Sequence, residues 1–392
     1  MSLVIKNVML PDCDLANAFC LSTNSNSVCF RSADSFGKND DVLDLDEGMI
    51  AFPGIINSHD HLDFNDFPLL QTRIYDDYID WAKDIHENDN FKYQIASSKK
   101  IPYENKMLTG LIKNLVCGIT TVVNHGIKSN TRYEGIEIHD HCRILHSDKY
   151  ETWLPIKINI PFNTAPVTIH IGEGKTGRVR QEIGRVLKYN LLNKKIIGIH
   201  GITMDCGQAK KITALVWCPE SNIQLYGRTA SVGELGRYTS ILFGTDSTLT
   251  ADWNIWKHIR TARNLAYLGD EELFYTLNSN PARIWGKSSA ECLTGMQVPD
   301  VVFARRRKKD YWDSFYMTDP EVIMLVFKNG KPVLIDQSIF KILQKKMPEY
   351  AKWGMIRVQD SIKYIPSSLL RQFQNGYIFK QMPVEILNTS IN

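Results

Sequence analysis

The sequence predicts an α/β fold: a (β/α)8 barrel of the TIM type, carrying a small composite β-sandwich domain formed by both ends of the chain. Three observations predict it. Short, β-branched apolar runs alternate with amphipathic helical stretches through the middle of the chain. Polar residues interrupt several of those runs at their C-terminal ends. Strand-like segments punctuated by Asn, Ser, Asp and Gly recur at both ends of the chain.

In order, Leu3 to Leu10 and the short segments up to residue 51 read as strands and turns, too few to close a core alone. A counterpart comes late. Val301 to Phe303 is followed by Val322 to Phe327 and Pro332 to Ile335, with Asn329-Gly330 between the last two as a tight-hairpin signal. The two ends are therefore expected to pair as one composite β domain (1–51 and 290–345) around a barrel at 52–289, leaving 346–392 as an unassigned extension. The barrel strands begin with Ile55-Ile56-Asn57-Ser58-His59. They continue as Ile119–Val123, Cys142–His146, Ile156–Ile160, Val167–Ile171, Lys195–His200, Ala214–Cys218 and Ser240–Gly244. Helices are expected at about Glu104–Cys117, Arg178–Leu192 and Trp253–Tyr267. Leu62 to Pro102 is too long for a plain connection and reads as a lid or helical insert over the catalytic face. Within it Tyr75, Tyr78 and Trp81 fall at helical spacing, which favours packing.

Composition narrows the function classes. Hydrophobic residues at 43% and charged residues at 23% describe an ordinary globular chain, and a net charge of +3 over 392 residues asks for no nucleic acid and no membrane surface. The block Arg305-Arg306-Arg307-Lys308-Lys309 reads as a solvated loop. Eight cysteines without a Cys-x-x-Cys pair read as reduced thiols, and the expected location is cytoplasmic. The expected partner is a small-molecule substrate, with a homo-oligomer left open.

The candidate site starts at His59-Asp60-His61. Side chains alternate along a strand, so two histidines one residue apart present two imidazoles on one side of its end, a metal-ligand geometry. In a parallel barrel, catalytic residues sit where strands end. His170 ends the fifth expected strand, His200 the sixth and Asp246 the eighth. Each has a quiet explanation alone: a core histidine, a turn residue, a helix cap. Together they form a pattern.

The opening Pro53-Gly54-Ile55-Ile56-Asn57-Ser58-His59-Asp60-His61, the strand-end histidines, Gly244-Thr245-Asp246 and Asn280-Pro281-Ala282-Arg283 resemble the amidohydrolase superfamily, from about Val4 to Ile335. His170-Ile171-Gly172-Glu173 and Trp217-Cys218-Pro219-Glu220-Ser221-Asn222 bring the likeness closest to its cytosine deaminase and chlorohydrolase branch. The resemblance implies one divalent metal, Zn2+ first and Fe2+ second, held by His59, His61, His170 and Asp246. It implies catalytic roles for Glu173, His200 and Asp246. The reaction it implies is hydrolysis of a non-peptide carbon–nitrogen bond by metal-activated water, deaminating a small nitrogen heterocycle. Asp246 would take the proton of that water, Glu173 would protonate a ring nitrogen and then the leaving amine, and His200 would hydrogen-bond the attacking oxygen. Candidate substrate contacts are His125 at the end of the second strand, Arg228 as a carboxylate or phosphate clamp, and Ser221, Asn222 and Ser247 near the mouth. Two other readings stay open. Lys157, near the expected fourth strand, could bridge two metals in a cyclic-amide hydrolase, and the barrel could serve as a non-catalytic binding module.

Overall fold

The computed structural model describes residues 3–11, 13–20, 27–31, 41–43, 48–128, 131–287, 293, 297–343, 353–373 and 377–388. It is a mixed α/β protein in which parallel strands carry the middle of the chain. Three of them form one sheet: β1 (Ile55–Asp60), β2 (Ile119–Asn124) and β3 (Glu137–Ile138). Five form another: β4 (Arg143–Leu145), β5 (Val167–Ile171), β6 (Ile196–His200), β7 (Ala214–Trp217) and β8 (Ser240–Phe243), paired in sequence order. The sheets meet where β1 and β8 end. Asp60 and Asp246 form a parallel bridge, His61 donates its N–H to the Asp246 carbonyl at 2.9 Å, and Thr245 N–H reaches the His59 carbonyl at 2.9 Å.

Alternation sorts the strand residues into two sets. Ile56, Val123, Ile197, Ile199, Val216 and Leu242 pack with one another. Ile55, Val122, Ile169, Ile171, Leu215 and Phe243 pack against the helices. In β5 the helix-facing parity of Ile169 and Ile171 leaves His170 to the inner side. In β6 strict alternation after Ile197 and Ile199 would send His200 to the helix side. Its backbone instead takes φ +71°, and Asp246 takes φ +62°. Both are non-glycine residues in the left-handed region, where strain collects at functional positions.

The expected strand Ile156–Ile160 is corrected to a helix, Leu154–Asn159. Ile156, Ile158 and Ile160 alternate as a strand would. Leu154 and Ile158, however, are buried four residues apart while Ile156 and Ile160 face solvent, which is the helical period, and Pro155 sits in the first turn, where proline is tolerated. The third parallel strand is instead the two-residue β3, too short to show a period. Lys157 consequently lies on a helix, paired with Glu151 at 2.5 Å and not at a strand end.

The helices come close to expectation, at Tyr103–Val116, Gly177–Tyr189 and Ile255–Leu265. The long insert carries helices Tyr78–Glu87 and Asp89–Ser98. Both chain ends share one twelve-stranded sheet, joined where Met49–Pro53 pairs antiparallel with Val301–Arg305. Asn329 and Gly330, at φ +51° and +69°, make the predicted hairpin turn. Residues left unassigned by sequence add strands Trp353–Val358, Ser361–Pro366 and Val384–Asn388 to the same sheet. Cys29, Cys117, Cys142, Cys206 and Cys218 are free thiols, whereas Cys292 lies outside the described residues. Among the described residues no helix is long and apolar enough to cross a membrane.

Candidate metal centre

The end of β1 is held from behind by polar side chains. Asn57 Nδ2 donates to Asn114 Oδ1 at 2.9 Å and to Thr245 Oγ1 at 2.8 Å. Asp60, between the two histidines, accepts from Asn114 Nδ2 at 2.7 Å and Asn65 Nδ2 at 3.1 Å and pairs with buried Lys113 at 2.9 Å. The carboxylate thus anchors the strand to helix Tyr103–Val116. His59 and His61 are left to the other side, their ring centroids 5.0 Å apart.

His170 and Asp246 close on that pair. His170 Nε2 is 3.3 Å from His59 Nε2, and Asp246 Oδ1 is 3.3 Å from His59 Nε2 and 3.6 Å from His61 Nε2. The other oxygen, Asp246 Oδ2, accepts hydrogen bonds from Ser221 Oγ at 2.7 Å and Thr250 Oγ1 at 2.8 Å. His170 donates Nδ1–H to the His146 carbonyl at 2.8 Å, which leaves the Nε2 lone pair of a neutral ring facing inward. His59, His61 and Asp246 form one group whose ligand atoms all lie within 4.8 Å of one another, and His59, His170 and His200 form another.

Electrostatics fit a cation. Burial drives the His59 pKa down to about 4 and, with His125 and His59 as neighbours, holds His170 well below the usual histidine range. Both rings are therefore neutral and ready to ligate. Asp246 stays ionised: burial works to raise its pKa, but the His59 hydrogen bond and the surrounding imidazoles hold it well below the carboxylate range. Imidazoles converging on one carboxylate are the donor set that Zn2+ takes.

Glu173 lies beside this cluster, on the loop after β5. It is buried, its Oε1 accepts from Tyr226 Oη at 2.6 Å, and its Oε2 is 3.8 Å from His200 Nε2. Burial raises its pKa. The long insert pins this loop: Tyr78 N–H donates to the Glu173 carbonyl at 3.2 Å, and Asp77 bridges to Gly174. Gly174 has φ +131°, and a Cβ there would stand 2.4 Å from Asp77 Cβ, so only glycine permits the contact. Tyr75, Tyr78 and Trp81 are engaged in packing and hydrogen bonding within the insert and its neighbours, Trp81 donating Nε1–H to the Leu70 carbonyl at 2.8 Å.

His200 donates Nδ1–H to Asn222 Oδ1 at 2.8 Å. Ser221 and Asn222, expected at the mouth, thus stand behind Asp246 and His200 and hold them. Ser247 is buried, and its Oγ has no hydrogen-bond partner. His125 is buried with its ring centroid 4.3 Å from that of His170; it bonds to the Leu145 carbonyl, and its Nε2 has no partner. Arg228 is exposed just beyond the helix Pro219–Tyr226. Sequence reasoning missed Tyr226, Thr250 and His146, whose ring centroid lies 5.2 Å from that of His170. Tyr226 and Thr250 each sit four or five residues beyond a residue already singled out, which on a helix or turn returns to the same side.

No family model matches the chain, and no curated protein matches it. Solved structures do. The chain is similar to an N-isopropylammelide isopropylaminohydrolase from Burkholderia multivorans (13% identity, 85% of this chain and 98% of that one, TM-score 0.60). It is also similar to an adenosine deaminase from Xanthomonas campestris with bound zinc (15% identity, 88% and 98%, TM-score 0.63). A third likeness is to a guanine deaminase from C. acetobutylicum with guanine in its active site (14% identity, 84% and 98%, TM-score 0.61). These neighbours are named as deaminases and a hydrolase, and this chain has their fold.

Proposed function

We propose that the protein is a metal-dependent amidohydrolase that deaminates a small nitrogen heterocycle. In this reading the two parallel sheets are one (β/α)8 barrel, residues 52–289, and the shared sheet of the chain ends is its composite β-sandwich domain, residues 1–51 and 290–345, extended by the strands between 353 and 388. The free cysteines support a cytoplasmic location. One observation carries the chemistry: a buried acid, Glu173, faces His200 beside His59, His61, His170 and Asp246.

His59, His61, His170 and Asp246 would hold one divalent metal, Zn2+ before Fe2+. When bound, such an ion lowers the pKa of water from about 15.7 to about 7 and so supplies a nucleophile at neutral pH. The rest falls to the chain. Asp246 keeps Oδ2 under the Ser221 and Thr250 hydroxyls, so Oδ1 is the oxygen free to ligate and to take a proton. His200, with Nδ1–H spent on Asn222, offers the Nε2 lone pair. That lone pair can accept a proton from the attacking water, and only then can Nε2 donate to the oxygen of the tetrahedral species. Glu173, whose pKa burial raises, donates its proton to a ring nitrogen, is recharged with the proton that His200 Nε2 took from the water, and hands that one to the leaving amine, while the tetrahedral hydroxyl gives its remaining proton to Asp246 Oδ1 as the carbonyl forms and ammonia leaves. Each proton has a named atom to sit on.

Lys157, on its helix with Glu151, gives no support to a second metal. His125 supports the substrate role expected of it: with Nδ1–H on the Leu145 carbonyl, its bare Nε2 can accept an N–H of a bound heterocycle. The test is ammonia release from a panel of aminated pyrimidines, purines and triazines by zinc-loaded protein. Turnover that disappears in Glu173→Gln with zinc retained is the expected result; equal turnover in that variant would sink the assignment.

A further inference from the structure

One eight-residue helix, Pro219–Tyr226, touches three of the reacting groups from behind. Ser221 holds Asp246, Asn222 holds His200, and Tyr226 holds Glu173. Asn222 and Tyr226 are four residues apart and so share a face. Tyr226 is fully buried among Tyr75, Ile202 and Leu225, and its own pKa is driven well above the usual range by that burial and by Glu173, so its hydroxyl keeps its proton and gives it to Glu173 Oε1 as a hydrogen bond. A carboxylic acid has one proton and two oxygens. Oxygen Oε1 already receives the Tyr226 O–H at 2.6 Å; Oε2 is the one that faces His200 Nε2, at 3.8 Å.

We propose that Tyr226 is a positioning residue that assigns the Glu173 proton to Oε2. With Oε1 taken as acceptor, the neutral acid carries its hydrogen on the oxygen turned toward His200 and the donor cluster, where the substrate nitrogen must lie. After transfer to that nitrogen, the carboxylate charge is held at Oε1 by the same hydroxyl, and the proton that His200 Nε2 took from the attacking water passes to Oε2 and from there to the leaving amine. Without Tyr226 either oxygen can carry the hydrogen, and half of the orientations point it away from the reaction. The proposal rests on the reading of Glu173 as the acid.

The test uses infrared spectra of the zinc-loaded full chain at neutral pH, with the difference taken between the wild type and each of Glu173→Gln and Tyr226→Phe. The C=O stretch that vanishes in Glu173→Gln belongs to the protonated acid. A hydrogen bond to the carbonyl oxygen weakens that bond, so the band should move to higher frequency in Tyr226→Phe, which keeps the ring in its packing. With any substrate from the ammonia panel, kcat of Tyr226→Phe should fall about 10- to 100-fold, the scale of one charge-assisted hydrogen bond, with KM and zinc content unchanged. An unmoved band, or a change in KM alone, overturns the proposal. Full turnover in Glu173→Gln would overturn the acid reading itself, while the band shift would still report whether the hydrogen bond exists.

Discussion

His200 Nδ1 and Asn222 Oδ1 are 2.8 Å apart, and that hydrogen bond decides which imidazole nitrogen is left for chemistry. An amide oxygen accepts, so the ring proton sits on Nδ1 and the Nε2 lone pair faces Glu173 and the donor cluster. Asn222 is itself fixed, donating Nδ2–H to Thr229 Oγ1 at 3.1 Å, and Thr229 receives Trp217 Nε1–H at 2.7 Å. Asn222→Ala frees the ring to take either tautomer and to rotate. Turnover should fall about 10- to 100-fold while zinc stays bound, since outer partners of site histidines are worth that much. Steady-state kinetics with elemental analysis of the same sample checks it.

The Ser221 and Thr250 hydroxyls are predicted to act through metal affinity. Both hydroxyls donate to Asp246 Oδ2, so removing them releases the carboxylate to rotate. A Ser221→Ala and Thr250→Val double variant is expected to bind zinc about 10- to 100-fold more weakly. Competition with a chromogenic chelator measures this without any substrate, and wild-type affinity would show that Oδ2 needs no support.

Lys113 and Asp60 form a salt bridge in which both side chains are essentially sealed from water. Breaking one half strands a buried charge, so Lys113→Met should destabilise the chain by about 3–5 kcal/mol in urea unfolding. Adding Asp60→Asn removes the stranded charge and should recover part of that loss. Equal stability of the two variants would mean that the charge on Asp60 is not what the lysine serves.

Asp66 connects the segment after β1 to the late part of the chain. Its Oδ1 accepts from Tyr377 Oη at 3.0 Å, Tyr377 also meets Thr109 Oγ1 at 2.9 Å, and Oδ2 has no hydrogen-bond partner. Burial raises its pKa from 3.8 to about 6, against the opposing pull of the Tyr377 hydrogen bond, Lys106 and Lys380. Between about 4 and about 6 the folded chain holds a proton that the unfolded chain has released. The stability contributed by this group is therefore complete below the unfolded value and is lost as pH rises through about 6. Asp66→Asn should match the wild type at acid pH and exceed it by about 3 kcal/mol at most at pH 7. A constant difference between the two across that range would refute the assignment.

Local order made much of the fold legible in the sequence. The Asn329-Gly330 hairpin, the helix Tyr103–Val116 and the strands at whose ends His170, His200 and Asp246 cluster all follow from period, turn chemistry and a polar stop after an apolar run. Misreading set in where a pattern fitted two periods, as in Leu154 to Ile160, or where a strand was two residues long, as in β3. The candidate ligands were legible because each lies at or just past the end of an apolar strand. The residues that orient them were not. Ser221 and Asn222 were singled out for the mouth, and only tertiary packing turns them inward. Tyr226 to Glu173 spans 53 residues and Tyr377 to Asp66 spans 311, and no spacing rule joins such pairs.

The central claim is one cation in the His59, His61, His170 and Asp246 set. Elemental analysis of protein purified without chelator, with His59→Ala prepared alongside, tests it most directly. About one zinc or iron per chain in the wild type and none in the variant is the predicted result. No metal in the wild type, or the same content in both, would contradict it.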